Sequence, residues 1–133
     1  MIEIKHEAPT VKDYRNMRKT VGLSEKSQKA AEKGLSNACF NVTVYDDASL
    51  IAMGRVIGDG GTAFQIIDIA VDTKYQGEGY GKQVMAHIMK YIQSVAEEGT
   101  YVSLIADYPA DKLYEQYGFI TTEPHSCGMY IKY

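Results

Sequence analysis

Between positions 76 and 81 the chain reads Gln76-Gly77-Glu78-Gly79-Tyr80-Gly81, three glycines in six residues just ahead of a run with helical periodicity. Glycines at such a junction remove the side chains that would keep an anion away from main-chain N–H groups. The first turn of a helix leaves several N–H groups without intrahelical partners, and the aligned peptide dipoles add partial positive charge at the same place. That combination suits a phosphate, and a pyrophosphate best. The spacing alone also permits a blander reading, a tight turn with close packing of helix on sheet. Two common phosphate motifs are excluded. The dinucleotide fingerprint needs G-x-G-x-x-G where this chain has G-x-G-x-G, and a P-loop needs Lys followed by Ser or Thr where Lys82 precedes Gln83.

The elements around this turn follow from hydrophobic period. Residues 2–7 alternate apolar and polar like a half-buried strand. Thr10 and Asp13 resemble a capping pair, and Val11, Tyr14, Met17 and Val21 recur at helical spacing up to Gly22. A second helix is expected over residues 25–35, with a thin apolar stripe at Ala30, Ala31 and Leu35. Residues 39–45, 50–57 and 63–71, rich in β-branched and aromatic types, predict a three-strand meander with short joints. After the glycine turn, Val84, Met85, Ile88, Ile92, Val95 and Ala96 share one helical face, and Gly99 closes the helix. Residues 101–107 read as a strand ended by Pro109, residues 110–117 as a short helix, and 119–122 and 129–133 as two closing strands. This order predicts an α/β or α+β domain with a mixed sheet.

A chain of 133 residues fits a single domain over 1–133. With 45% hydrophobic and 23% charged residues and a net charge of -3, the composition argues against a nucleic-acid partner, which calls for a basic stripe. No secretory layout and no apolar run of spanning length occur, so no membrane role and a cytoplasmic location are expected. Cys39 and Cys127 lie far apart, and His6, His87 and His125 have no neighbours at ligand spacing, so no metal is expected.

The segment from Ile69 through Gly81 closely resembles the acyl-coenzyme-A motif of the GNAT family of N-acetyltransferases, Q/R-x-x-G-x-G/A after a strand. Downstream, Ala110, Leu113-Tyr114 and Gly118-Phe119 resemble the same family's later motif. The resemblance spans nearly all of the chain from Phe40 onward, while the two N-terminal helices match in position only. It implies a mixed, mostly antiparallel sheet of six to seven strands flanked by about four helices, with splayed central strands. It also implies acetyl-CoA as cosubstrate, without a metal.

Carried over residue by residue, the resemblance implies that Ile69, Ala70 and Val71 offer main-chain contacts to the pantetheine arm. Gln76, Gly77, Glu78, Gly79, Tyr80 and Gly81 hold the diphosphate, and Lys82 adds charge near it. Tyr114 aligns with the tyrosine beside the cofactor sulfur and becomes the general acid; packing on the sheet is its structural alternative. Asp107 stands where the family commonly has asparagine, and an ionised carboxylate there accepts a hydrogen bond but donates none. Asp68 interrupts an apolar strand and is the candidate to receive the acceptor's ammonium or its proton; pairing with Arg55 is the equal alternative. Gly22, Leu23, Ser24, Arg55 and Asp68 are expected to line the acceptor pocket. The acceptor is read as the primary amine of a small molecule, an amino acid or related amine. A protein amine as acceptor and a non-catalytic acetyl-CoA sensor remain alternatives. Oligomeric state is open, a homodimer through a sheet edge included.

Overall fold

The computed structural model describes all residues, 1–133. The chain divides into two compact units, Met1–Ser103 and Leu104–Tyr133.

Except for the last residue of its final strand, Leu104, a sheet in the order β1-β2-β3-β4-β5 belongs to the first unit. Its strands are β1 (Ile2–Lys5), β2 (Phe40–Asp46), β3 (Ser49–Gly58), β4 (Ala63–Val71) and β5 (Tyr101–Leu104). The first four pair antiparallel in chain order. β5 returns beside β4 after a helical crossover, with the Tyr101 N–H on the Thr62 carbonyl at 2.8 Å. Helix α3 (Tyr80–Val95) covers one face, burying Val84, Met85, Ile88 and Ile92. On the other face lie α1 (Val11–Thr20) and α2 (Gln28–Leu35). There Tyr14, Met17, Ala31, Leu35, Met53 and Ala70 form one buried cluster. The expected capping pair is present: the Asp13 N–H donates to Thr10 Oγ1 at 3.1 Å.

α3 sits unusually close to the sheet at Gly54. A Cβ at this position would lie 2.6 Å from Val84 Cγ1, 2.7 Å from Ile69 Cδ1 and 2.9 Å from Ile88 Cδ1. The missing side chain therefore sets the height of α3 over β3 and β4, and with it the place of the glycine turn relative to the end of β4.

α3 is also tied to the chain just after β1, where His6 Nε2 and His87 Nδ1 are 2.8 Å apart. One ring must donate and the other accept, so a second proton breaks the bond. Burial first, then the charges of His6 and Lys90, hold the His87 imidazole below its ordinary value of 6.5. A lowered folded-state value means that the unfolded chain binds more protons. The stabilisation is present above the unfolded value and lost as pH falls through the folded one. The parent chain's urea midpoint is expected to decline between about pH 7 and pH 5, and His87→Gln to flatten that decline. Parallel curves for the two proteins would refute this.

In the second unit, α4 (Asp111–Glu115) buries Tyr114, whose ring meets Phe119 edge-on at 6.4 Å between centroids. The six to seven strands expected from the sequence reduce to five, because residues 119–122 and 129–133 form none. Their aliphatic and aromatic residues have strand propensity, but propensity gains nothing without a paired neighbour. Ile120, Met129, Tyr130 and Ile131 are all exposed. The four α-helices match the expected number, each beginning or ending within a few residues of its predicted bounds.

Candidate functional site

β4 ends at Val71 and passes through a short 3-10 turn, Thr73–Tyr75, before the glycine-rich segment. The Asp72 carboxylate accepts from the Lys74 N–H at 2.9 Å, and Gln76 Nε2 donates to the Val71 carbonyl at 3.0 Å. Gln76 thus braces the start of the turn against the strand. Tyr75 donates to Asp46 Oδ2 at 2.8 Å, and its ring meets Tyr80 edge-on. The phenol holds the Asp46 carboxyl below its usual range. Gly77 and Gly79 have φ of +81° and +90°, a region where a side chain is strained. A Cβ at either would meet nothing within 4 Å, so glycine is required by the backbone path, and the space beside it is open. Gly79 is the N-cap of α3, and no side chain caps the helix. An uncapped sixteen-residue helix opening onto free space from a glycine turn fits a diphosphate. Glu78 and Lys82 are both exposed, the first in the turn and the second in the first turn of α3.

On the opposite face of the sheet, β4 carries a bulge. Arg55 pairs with Ile67 and Met53 with Ala70, so Gly54 alone stands opposite Asp68 and Ile69. Asp68 adopts φ of +58°. The extra residue turns its carboxylate toward α1, while Ile69 approaches α3 over Gly54. Asp68 is buried there among cations: Oδ1 accepts from Arg18 Nη1 at 2.5 Å, and Oδ2 accepts from Arg55 Nε and the Tyr14 hydroxyl, each at 2.9 Å. Arg18 also donates to the carbonyl and hydroxyl of Ser24, at 2.7 and 3.0 Å, and Arg55 Nη1 donates to the Gly34 carbonyl at 2.8 Å. Burial, then the Asp68 charge and hydrogen bond, push the Tyr14 phenol up from 10, so it stays a donor.

The pairing of Asp68 with Arg55, weighed from the sequence, is present. Both oxygens of Asp68 are engaged, so taking up an ammonium would mean giving up a guanidinium or the phenol. Ser24 joins the same network through Arg18. Gly22 and Leu23 instead line a groove of about 720 Å³ between α1 and α2, together with Lys12, Arg15 and Asn16. That groove touches no residue of the sheet. Within the second unit, Tyr114 is 9% exposed; burial first and the Asp107 charge second raise its phenol above 10.

Arg18 escaped the sequence reading, and Tyr14 was read only as part of the apolar stripe of α1. Both lie on the buried face of α1 with Met17, and Arg18 is one turn beyond Tyr14. A cation on the buried face of an amphipathic helix was the available signal, since it needs a buried partner and Asp68 interrupts the only apolar strand able to supply one. The tie between Tyr75 and Asp46 had no sequence signal, because it depends on the register of β2 against the turn.

Residues 37–121 match the acetyltransferase (GNAT) domain. An uncharacterized ycf52-like N-acetyltransferase of Prochlorococcus marinus is 30% identical over 109 residues, 79% of this chain and 59% of that protein. The uncharacterized N-acetyltransferase ycf52 of Gracilaria tenuistipitata var. liui is 25% identical over 122 residues, 89% of this chain and 66% of its own length. The chain thus spans less than two thirds of both curated relatives. A crystal structure of a Staphylococcus aureus protein of unknown function, described as a probable acetyltransferase, superposes with a TM-score of 0.97 at 61% identity, covering 100% of both chains. Fold and site define a GNAT-type domain. The chain belongs to the GNAT acetyltransferase family. No helix is long and apolar enough to cross a membrane.

Proposed function

We propose that residues 1–133 act as one cytoplasmic, acetyl-CoA-dependent N-acetyltransferase domain whose acceptor is the primary amine of a small molecule, an amino acid or related amine. The observation that carries the cofactor assignment is the uncapped N-terminus of α3 behind Gly77 and Gly79, with open space beside both glycines. Bound acetyl-CoA supplies an activated acetyl thioester. The amides of residues 77–81 grip its diphosphate, Lys82 adds positive charge, and the backbone of Ile69, Ala70 and Val71 carries the pantetheine arm as an added strand would. Tyr114, kept protonated by burial, donates its hydroxyl proton to the departing sulfur. Because both oxygens of Asp68 are occupied, its part is to hold Arg18 and Arg55, and the ammonium's proton leaves through water.

Two measurements test this reading. Calorimetry should detect coenzyme A binding, and acetyl-CoA with a panel of amines should release free thiol. Gly79→Asp places a carboxylate in the diphosphate site. At an effective dielectric between that of water and a protein surface, the repulsion of charges about 5 Å apart exceeds 1 kcal/mol, so the Kd for coenzyme A should be about tenfold higher than in Gly79→Asn, which carries the same backbone strain without the charge. The penalty should shrink as salt is added. Absence of binding heat in the parent chain, or failure of every amine to release thiol, would overturn the proposal.

A further inference from the structure

Between α2 and β3 lies a second, smaller pocket of about 180 Å³. Its walls include Tyr14, Lys26, Ala30, Gly34, Leu35 and Arg55. Two of these side chains are cationic and none is acidic, although the chain as a whole carries a net charge of -3. The pocket reaches the sheet through Arg55, which is bonded to Asp68 on the bulge of β4, unlike the larger groove that stays on the helices.

The hydrogen bonds of the two arginines are unequal. Arg18 uses all three guanidinium nitrogens, on Asp68 and on the carbonyl and hydroxyl of Ser24. Arg55 uses Nε on Asp68 and Nη1 on the Gly34 carbonyl, and its Nη2 donates to nothing in the protein. That nitrogen lies at the pocket wall, where a Cβ on Gly34 would stand 3.9 Å from it. Two buried guanidiniums also share the single carboxylate of Asp68, which leaves the cluster one positive charge in excess. Arg55 Nη2 is open to the pocket, so an anion there can take up this donor without breaking the bonds that the guanidinium already makes. In a small adjoining cavity of about 10 Å³, lined by Tyr14, Arg55 and Asp68 among others, Asn41 also lines the wall, and its Oδ1 is a buried acceptor without a partner. An unused donor and an unused acceptor thus sit on one side of the sheet beside the β4 bulge.

From this arrangement we infer that the acceptor amine also carries an oxyanion, a carboxylate or a phosphate, which Arg55 Nη2 and Lys26 bind in the pocket between α2 and β3. Asn41 Oδ1, on the adjoining cavity of about 10 Å³, accepts from a water that relays the amine's proton. Ala30 and Leu35 contact a short apolar stem, and the volume suits an acceptor of amino-acid size. The inference rests on the transferase reading and narrows it: diamines and polyamines, which bring only positive charge to a cationic pocket, are disfavoured.

The test uses matched pairs: an α-amino acid against the amine lacking its carboxylate, and an aminoalkyl phosphate against the corresponding amino alcohol. Free-thiol release is measured for each, along with calorimetric titration of each compound into the protein with and without coenzyme A. At least one anionic member should exceed its neutral counterpart tenfold or more in kcat/KM and in affinity, and which pair shows the preference separates carboxylate from phosphate. Ala30→Glu sets an acidic group at the pocket mouth on an exposed helical position. It should reduce that preference at least tenfold, with thermal unfolding reporting an intact fold. Equal kcat/KM within both pairs overturns the inference while leaving acetyl transfer standing. If no amine releases thiol, the transferase reading fails, and the calorimetric preference and its loss in Ala30→Glu still decide the anion site by themselves. A preference that survives Ala30→Glu unchanged places the anion elsewhere and also overturns it.

Discussion

Replacing Asp68 by asparagine is expected to lower the unfolding free energy by about 3–5 kcal/mol, the cost of leaving a buried charge unpaired. For a chain of this size that corresponds to a fall in melting temperature of roughly 10 °C or more. The carboxylate is 7% exposed, and the Arg18 and Arg55 side chains that it holds are 8% and 11% exposed, so solvent offers them little compensation. Asparagine is the cleanest replacement because it has nearly the same shape and is among the residues that tolerate the left-handed backbone found at +58°. Its carbonyl oxygen still accepts one hydrogen bond, which places the effect toward the lower end of the range. The loss therefore reports the missing charge and not the bulge. Urea unfolding of both proteins gives the comparison. A change under about 1 kcal/mol would mean that the two guanidiniums do not depend on Asp68, and a stable variant with greatly reduced kcat would make it the base.

The network around Asp68 also marks where the sequence became uninformative. The oddity of a carboxylate in an apolar strand was legible, and so was its possible partner Arg55, because strands β3 and β4 were predicted as neighbours in a meander. The third and fourth members were not. Tyr14 and Arg18 lie fifty or more positions away and meet Asp68 only because the bulge turns it to the α1 face, and a bulge has no fixed residue signature outside glycine. The glycine turn was legible for the opposite reason: its conformation is local, and Gly77 and Gly79 advertise the positive φ that they adopt. The closing strands failed for want of a partner, since a run of Met129, Tyr130 and Ile131 has strand propensity whether or not an edge is available to it. Local chemistry was thus readable, and contacts that depend on register across the sheet were not.

Tyr114→Phe is expected to lower kcat about a hundredfold, the modest end of general-acid effects, with the Kd for coenzyme A nearly unchanged. The effect is modest because a thiol with a pKa of about 8.5 leaves tolerably as the thiolate without assistance. Phenylalanine keeps the ring that α4 buries and its edge-on contact with Phe119, so the loss is confined to the hydroxyl. Burial and the Asp107 charge hold the phenol protonated beyond pH 10, so the parent enzyme should keep its proton donor across the whole neutral and mildly basic range. Rate loss from ionisation of this group should enter only above pH 10. An acetyl thioester of a more acidic thiol gives the decisive comparison. When the leaving group needs less help, the difference between parent and variant should shrink toward unity, as Brønsted behaviour requires. A tyrosine that only packs would produce no such dependence on the leaving group. An equal penalty with both thioesters would therefore remove Tyr114 from the proton-transfer step.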